Sequence, residues 1–212
     1  MIHSDRRTRA LAACLSALAG YVDAIGFLKL GGFFVSFMSG NSTRMAVGLA
    51  EGTPQAAEAA GLIAAFVVGV VAGSLTGRLA RRQGRAAVLL LVASLLAVSA
   101  ALGMANATLP AMGLLVMAMG AENAVFERDG EVRIGLTYMT GTLVKIGQWL
   151  TTALMGGERF GWLPFLLLWL GLIAGAVVGA SVYPHLGLNG LWIASAIAVA
   201  CAFAATRPES RP

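Results

Sequence analysis

Charge is scarce in this chain. Of 212 residues, 12% are Asp, Glu, Lys or Arg, while 58% are apolar. That balance excludes an ordinary soluble domain, in which about a quarter of the residues are charged. No long polar stretch is left over, so residues 1–212 read as a single integral membrane domain. Histidine and cysteine are equally sparse, with two of each. Cys14 and Cys201 lie far apart in apolar surroundings. They have no paired framework and no ligand spacing, which excludes a disulfide scaffold and a metal centre. Phosphate loops, dinucleotide fingerprints and Gly-x-Ser-x-Gly elbows are missing. His3 and His185 fall outside the polar clusters, and His185, in Tyr183-Pro184-His185, reads as a loop residue after a helix end. No enzyme, cofactor or metal is expected.

What the chain does have is apolar runs, near 10–28, 33–50, 60–80, 86–105, 110–126, 134–155, 162–182 and 188–206. Each has the length of a membrane-helix candidate, and the fold class is therefore an all-α polytopic bundle. The net charge of +5 does not imply nucleic acid. The basic residues flank the apolar runs (Arg6, Arg7, Arg9, then Arg78, Arg81, Arg82, Arg85), as topology and anionic lipid headgroups require. Arg6-Arg7 with the following apolar run has the outline of a secretory signal. It is read here as a retained first helix, because removing it would discard half of a repeat.

That repeat is the main signal. Gly20 and Asp23-Ala24 match Gly120 and Asn123-Ala124 at an offset of 100. Met38, Gly40 and Arg44 match Met139, Gly141 and Lys145 at 101. Gly69, Gly73 and Gly77 match Gly171, Gly175 and Gly179 at 102. A steady order with an offset growing by one at each connection is the mark of a duplication, here 8–106 and 108–207. The two glycine triplets put small residues along one helix face and read as packing seams between the halves. A homodimer is the protein partner that such faces leave open.

Loop charge sets the hand of the repeat. If all eight segments cross, basic residues divide evenly between the two sides. If the first two segments of each half make one net crossing, the N-terminus, 78–85, Arg159 and the C-terminus gather on one side. The loops 51–58, 105–110 and 183–189 then carry no Lys or Arg on the other. The positive-inside rule selects the second arrangement. It gives about six net crossings with broken or re-entrant segments, two inverted repeats and both termini in the cytoplasm.

The polar clusters lie in the segments that must break. Ser39-Gly40-Asn41-Ser42-Thr43-Arg44 returns as Thr140-Gly141-Thr142, preceded by Tyr138 and followed by Lys145. An unwound turn at each Gly would expose backbone N–H groups at a half-helix start, where anions are favoured. Asp23, Glu122 and Asn123 lie in the segments before. A lone charge in hydrocarbon costs on the order of 3 kcal/mol, so Asp23 and Glu122 are expected to pair with Arg44 and Lys145. All of these residues are candidates for a solute or ion pathway.

The stretches Gly20-Tyr21-Val22-Asp23-Ala24-Ile25-Gly26-Phe27 and Met38-Ser39-Gly40-Asn41-Ser42-Thr43 resemble the YoaK family, small bacterial multi-pass inner-membrane proteins of unknown function. The resemblance implies a bacterial inner-membrane location and a family-defining role for Asp23, Gly40 and Asn41. The second half departs from the pattern, with Asn123 for Asp23 and Thr142 for Asn41. The functional expectation is a secondary transporter or channel for a small polar or anionic solute, with an acid that releases its ion pair as the candidate for proton coupling. The rival is a non-transporting membrane scaffold, assembly or lipid-binding protein. Membrane lipids are partners in either case.

Overall fold

The computed structural model describes residues 6–128, 131–132 and 134–206. His3, Arg133, Arg207 and Arg211 of the sequence reading lie outside the described residues. Eight helices carry the fold: α1 (Arg6–Lys29), α2 (Met38–Glu51), α3 (Gln55–Leu79), α4 (Gly84–Met104), α5 (Thr108–Glu122), α6 (Met139–Leu154), α7 (Leu163–Leu186) and α8 (Leu191–Thr206). Single 3-10 turns precede α4 and α8 and extend α5 to Phe126. A two-residue antiparallel ladder pairs β1 (Glu127–Arg128) with β2 (Glu131–Val132). Five stretches, the last running through α7 and α8, are long and apolar enough to cross a membrane. His185 belongs to the last turn of α7, not to a loop, because the helix continues through Pro184.

Neither α2 nor α6 is a full span. α2 has 14 residues and α6 has 16, about 21 and 24 Å at 1.5 Å per residue. A hydrocarbon core is about 30 Å thick. The apolar runs near 33–50 and 134–155 are therefore each part helix and part non-helical chain, with the breaks at 30–37 and 134–138.

The helices pair across the halves. α1 lies on α7, α3 on α5 and α4 on α8. Small residues make the first two contacts close enough for backbone to touch backbone. A Cβ on Gly175 would fall 1.8 Å from the Ala17 carbonyl oxygen, one on Gly179 2.3 Å from that of Tyr21, and one on Gly171 3.0 Å from that of Ala13. In the other seam, Gly69 meets the Met117 carbonyl at 2.1 Å and Gly73 that of Ala121 at 2.7 Å. Gly77 does not join this seam: it faces Val88 of α4, because α3 has turned towards its own hairpin partner by that point.

The same contacts give chain direction. In each seam the partner residues rise together, so α1 is parallel to α7 and α3 is parallel to α5. Ser195 bonds to the Ala93 carbonyl and Gly103 meets Leu188, so α4 and α8 are antiparallel. Tight turns make α3–α4, α4–α5 and α7–α8 antiparallel as well. α2 turns into α3 through Gly52, at φ 65°, and Gly48 packs on Ala56. Thus α1, α2, α4 and α7 run one way and α3, α5, α6 and α8 the other. α1 and α2 thus run in the same direction, as do α5 and α6. Arg7, Arg9, the 78–85 tract and Arg159 fall at one end of the bundle, and Glu51 falls at the other.

At the basic end, Glu127 receives the Ser74 hydroxyl and pairs with Arg78 at 2.8 Å, the one ion pair among the described residues. These two donors hold the Glu127 carboxyl below its usual range. A carboxyl so lowered adds stability above its unfolded value, about 4.3, and that stability is lost as pH falls through the folded value. Since Arg78 is 68% exposed, the contribution is less than about 1 kcal/mol. The stability gap between wild type and Glu127→Gln in detergent should therefore be constant near neutrality and close in acid. The seams predict a larger effect. Gly175→Ala should destabilise by about 1–3 kcal/mol through overpacking, whereas Gly147→Ala on α6, with open space around it, should be neutral. Thermal unfolding of the two variants checks this.

Candidate functional site

The breaks lie near the middle of the bundle. Gly20 of α1 meets the carbonyl of Leu172, close to the midpoint of α7, and Gly120 of α5 meets that of Phe66, close to the midpoint of α3. Asp23 and Asn123 each lie three residues further along, about 4.5 Å. Because α1 and α5 run in opposite directions, these two residues flank the mid-plane from opposite sides.

Non-helical backbone at such depth needs partners for its N–H and C=O groups. In the first break a carboxylate and an amide provide them. Asp23 Oδ1 accepts from Val35 N at 2.9 Å and from Ser36 N at 2.8 Å. Asn41, fully buried, pairs with Phe34 in the manner of a neighbouring strand: Phe34 N donates to Oδ1 at 3.0 Å and Nδ2 donates to the Phe34 oxygen at 2.7 Å. Gly40 lets the rings of Phe34 and Phe37 lie against the first turn of α2, where a Cβ would meet them at 2.9–3.0 Å.

The second break is held more lightly. Thr137 Oγ1 donates to Asn123 Oδ1 at 3.1 Å, and Asn123 Nδ2 donates to the Met119 carbonyl. Thr142, standing where Asn41 stood, only returns its hydroxyl to the Tyr138 carbonyl. Ser16 of α1 adds a long contact of 3.4 Å to the Leu136 carbonyl while bonding Leu168 at 2.9 Å. Ser16 and Asp23 are seven residues apart on α1, so the two breaks touch one helix about 10 Å apart along its axis. Val35 and Leu136, a matched pair at offset 101, are both fully buried.

The expected ion pairs do not form. Asp23 is occupied by backbone N–H groups that lie closer than any guanidinium. Arg44 instead reaches back over the break, with Cζ 5.0 Å from the centroid of Phe33 and its guanidinium beside Gly32. Lys145 is exposed, with Nζ 6.0 Å from the centroid of Phe165. Glu122 is 0% exposed and neither of its carboxylate oxygens has a hydrogen-bond partner.

The helices also begin where unwinding was expected. Ser39, Gly40, Asn41, Ser42 and Thr43 lie within the first turns of α2, and Thr140, Gly141 and Thr142 within those of α6. The chain is irregular just before each Gly motif. Ser39, Ser42, Thr43, Tyr138, Thr140 and Gly141 are exposed on the outer faces. Ser42 and Thr43 return their hydroxyls to carbonyls four residues back, which is how such residues sit on an exposed helix face. Neither α2 nor α6 has a side-chain cap at its N-terminus. Sequence reasoning missed Ser16, Val35 and Leu136. The 101-residue offset, extended a few residues upstream of Met38 and Met139, would have found the last two.

The cysteines are not two isolated core residues. Their sulfurs are 3.5 Å apart as free thiols between α1 and α8, with Cys14 exposed and Cys201 buried.

The chain matches, over residues 11–204, the family described as a protein of unknown function, DUF1275. It is 43% identical over 190 residues to the UPF0700 transmembrane protein RA0705 of Rhizobium meliloti (strain 1021), covering 90% of this chain and 82% of that one. No solved structure matches. The clamp geometry makes a prediction. Asp23→Ala leaves two buried N–H groups without an acceptor and should cost about 3 kcal/mol, as for bonds to a charged group. Asn123→Ala should cost about 1 kcal/mol. Equal losses in denaturant unfolding would contradict the assigned asymmetry.

Proposed function

Because the chain belongs to the DUF1275 family, a membrane family of unknown function, we propose its activity from its geometry: a secondary transporter or channel for a small anionic or polar solute. The carrying observation is the pair of interrupted spans near mid-bundle, running in opposite directions and touching the same helix, α1. Interrupted helices in matching halves are how membrane carriers expose half-helix N-termini to a permeant. Here both N-termini lack side-chain caps, and each has a basic residue further along, Arg44 or Lys145. Positive helix ends and cations favour an anion.

In this reading the chain is a duplication of two inverted repeats, 8–106 and 108–207, in a bacterial inner membrane with both termini cytoplasmic. The opposed directions of the matched helices and the gathering of Arg residues at one end of the bundle support it. Asp23, Asn41 and Asn123 position the breaks; Arg44 and Lys145 attract the solute. Alternating access would proceed at the second break, which has fewer hydrogen bonds to surrender.

Flux in proteoliposomes across a panel of small anions tests the assignment. Arg44→Ala should lower flux about tenfold, the loss of one charge-assisted contact of about 1.5 kcal/mol or more, with an unchanged unfolding temperature. A stable Arg44→Ala, Lys145→Ala double variant that transports like wild type would sink it. Absence of flux for every anion would favour a scaffold or lipid-binding role.

A further inference from the structure

Glu122 has no structural task. Its partner position in the first half is Val22, at the same offset of 100 that matches Gly20 with Gly120, and Val22 is also fully buried. The fold thus accepts an aliphatic side chain at this place. The break-holding role one residue further on belongs to Asp23 in one half and to Asn123 in the other. A buried carboxylate with no donor is among the most costly groups a bundle can hold. Glu122 accepts no hydrogen bond through either oxygen.

Its surroundings favour a neutral acid. The Cys14 thiol of α1 lies within electrostatic reach of it, and the Cys201 thiol of α8 lies 3.5 Å from Cys14. Beyond the end of α5, Ser74 and Arg78 of α3 are engaged by Glu127, and Arg85 of α4 lies over the Phe126 ring at 5.6 Å. None of these hydrogen-bonds to Glu122. Glu122 therefore sits beside Asn123, at the more lightly held break, without a cation to stabilise its charge.

We propose that Glu122 is a proton-binding site, carrying its proton in the closed arrangement and releasing it when the second break opens to water. This rests on the transport reading above and names the coupling ion and its residue. Release would leave a carboxylate one residue from Asn123, whose Oδ1 accepts from Thr137 of the break, so proton binding and the state of the break are linked.

The test has a spectroscopic and a chemical arm, both independent of flux. Infrared difference spectroscopy of the purified full-length protein in liposomes at neutral pH should show the carbonyl band of a protonated carboxyl. That band should be lost in Glu122→Gln and kept in Asp23→Asn. Dicyclohexylcarbodiimide, which modifies protonated carboxyls in apolar surroundings, should label the Glu122 peptide in wild type. The label should disappear in Glu122→Gln, whose fold the Val22 comparison predicts to be intact. A folded wild type with no such band, or with a band that Glu122→Gln leaves unchanged, overturns the proposal. Solute flux without the band would overturn the proton site alone. A Glu122 band in a protein that moves no solute would overturn the transport reading instead.

Discussion

The structure depends on backbone touching backbone along α1–α7 and α3–α5. In lipid there is no hydrophobic drive to bring helices together, so close packing and satisfied polar groups must do it. At Gly175 and Gly69 a Cβ would fall about 2 Å from the opposing carbonyl, a spacing no other residue permits. These contacts join the first helix of each half to the third helix of the other. They fix the depth of Gly20 and Gly120, hence of Asp23 and Asn123, and hence of the two breaks.

With depth fixed, the breaks become a problem of hydrogen bonding. The first half solves it with a carboxylate and an amide. Asp23 and Asn41 together satisfy the backbone N–H groups of Phe34, Val35 and Ser36 and the Phe34 carbonyl. The second half solves it with hydroxyls and one amide, and at the adjoining position it buries a carboxyl where the first half has Val22. The first break is thus held by more hydrogen bonds than the second.

Much of this was legible from residues alone. The glycine spacing showed the seams because close helix contact demands small residues at four-residue intervals, a local pattern. The basic residues at alternate connections were legible too, and Arg7, Arg9, the 78–85 tract and Arg159 do gather at one end of the bundle. The DUF1275 match fits the resemblance carried by the two short motifs. The helix starts were not legible. Phe33-Phe34-Val35-Ser36-Phe37 is as apolar as a span, and the groups that hold it non-helical, Asp23 and Asn41, lie outside it. The ion pairs were misjudged for the same reason: nearby backbone N–H groups outcompete a distant guanidinium, and no pattern in the sequence reports that distance. Gly77 kept the seam's spacing but not its partner, because the turn into α4 redirects the end of α3.

The exchange of partners between halves has a consequence for how the protein is made. Of the helices described, α1 is made well before α7, the helix it packs against most closely. Until α7 is synthesised, α1 must wait in the membrane or at the insertion machinery with its glycine face covered by lipid. The α3–α5 seam can form as soon as α5 is made, whereas the α1–α7 seam closes only when α7 arrives.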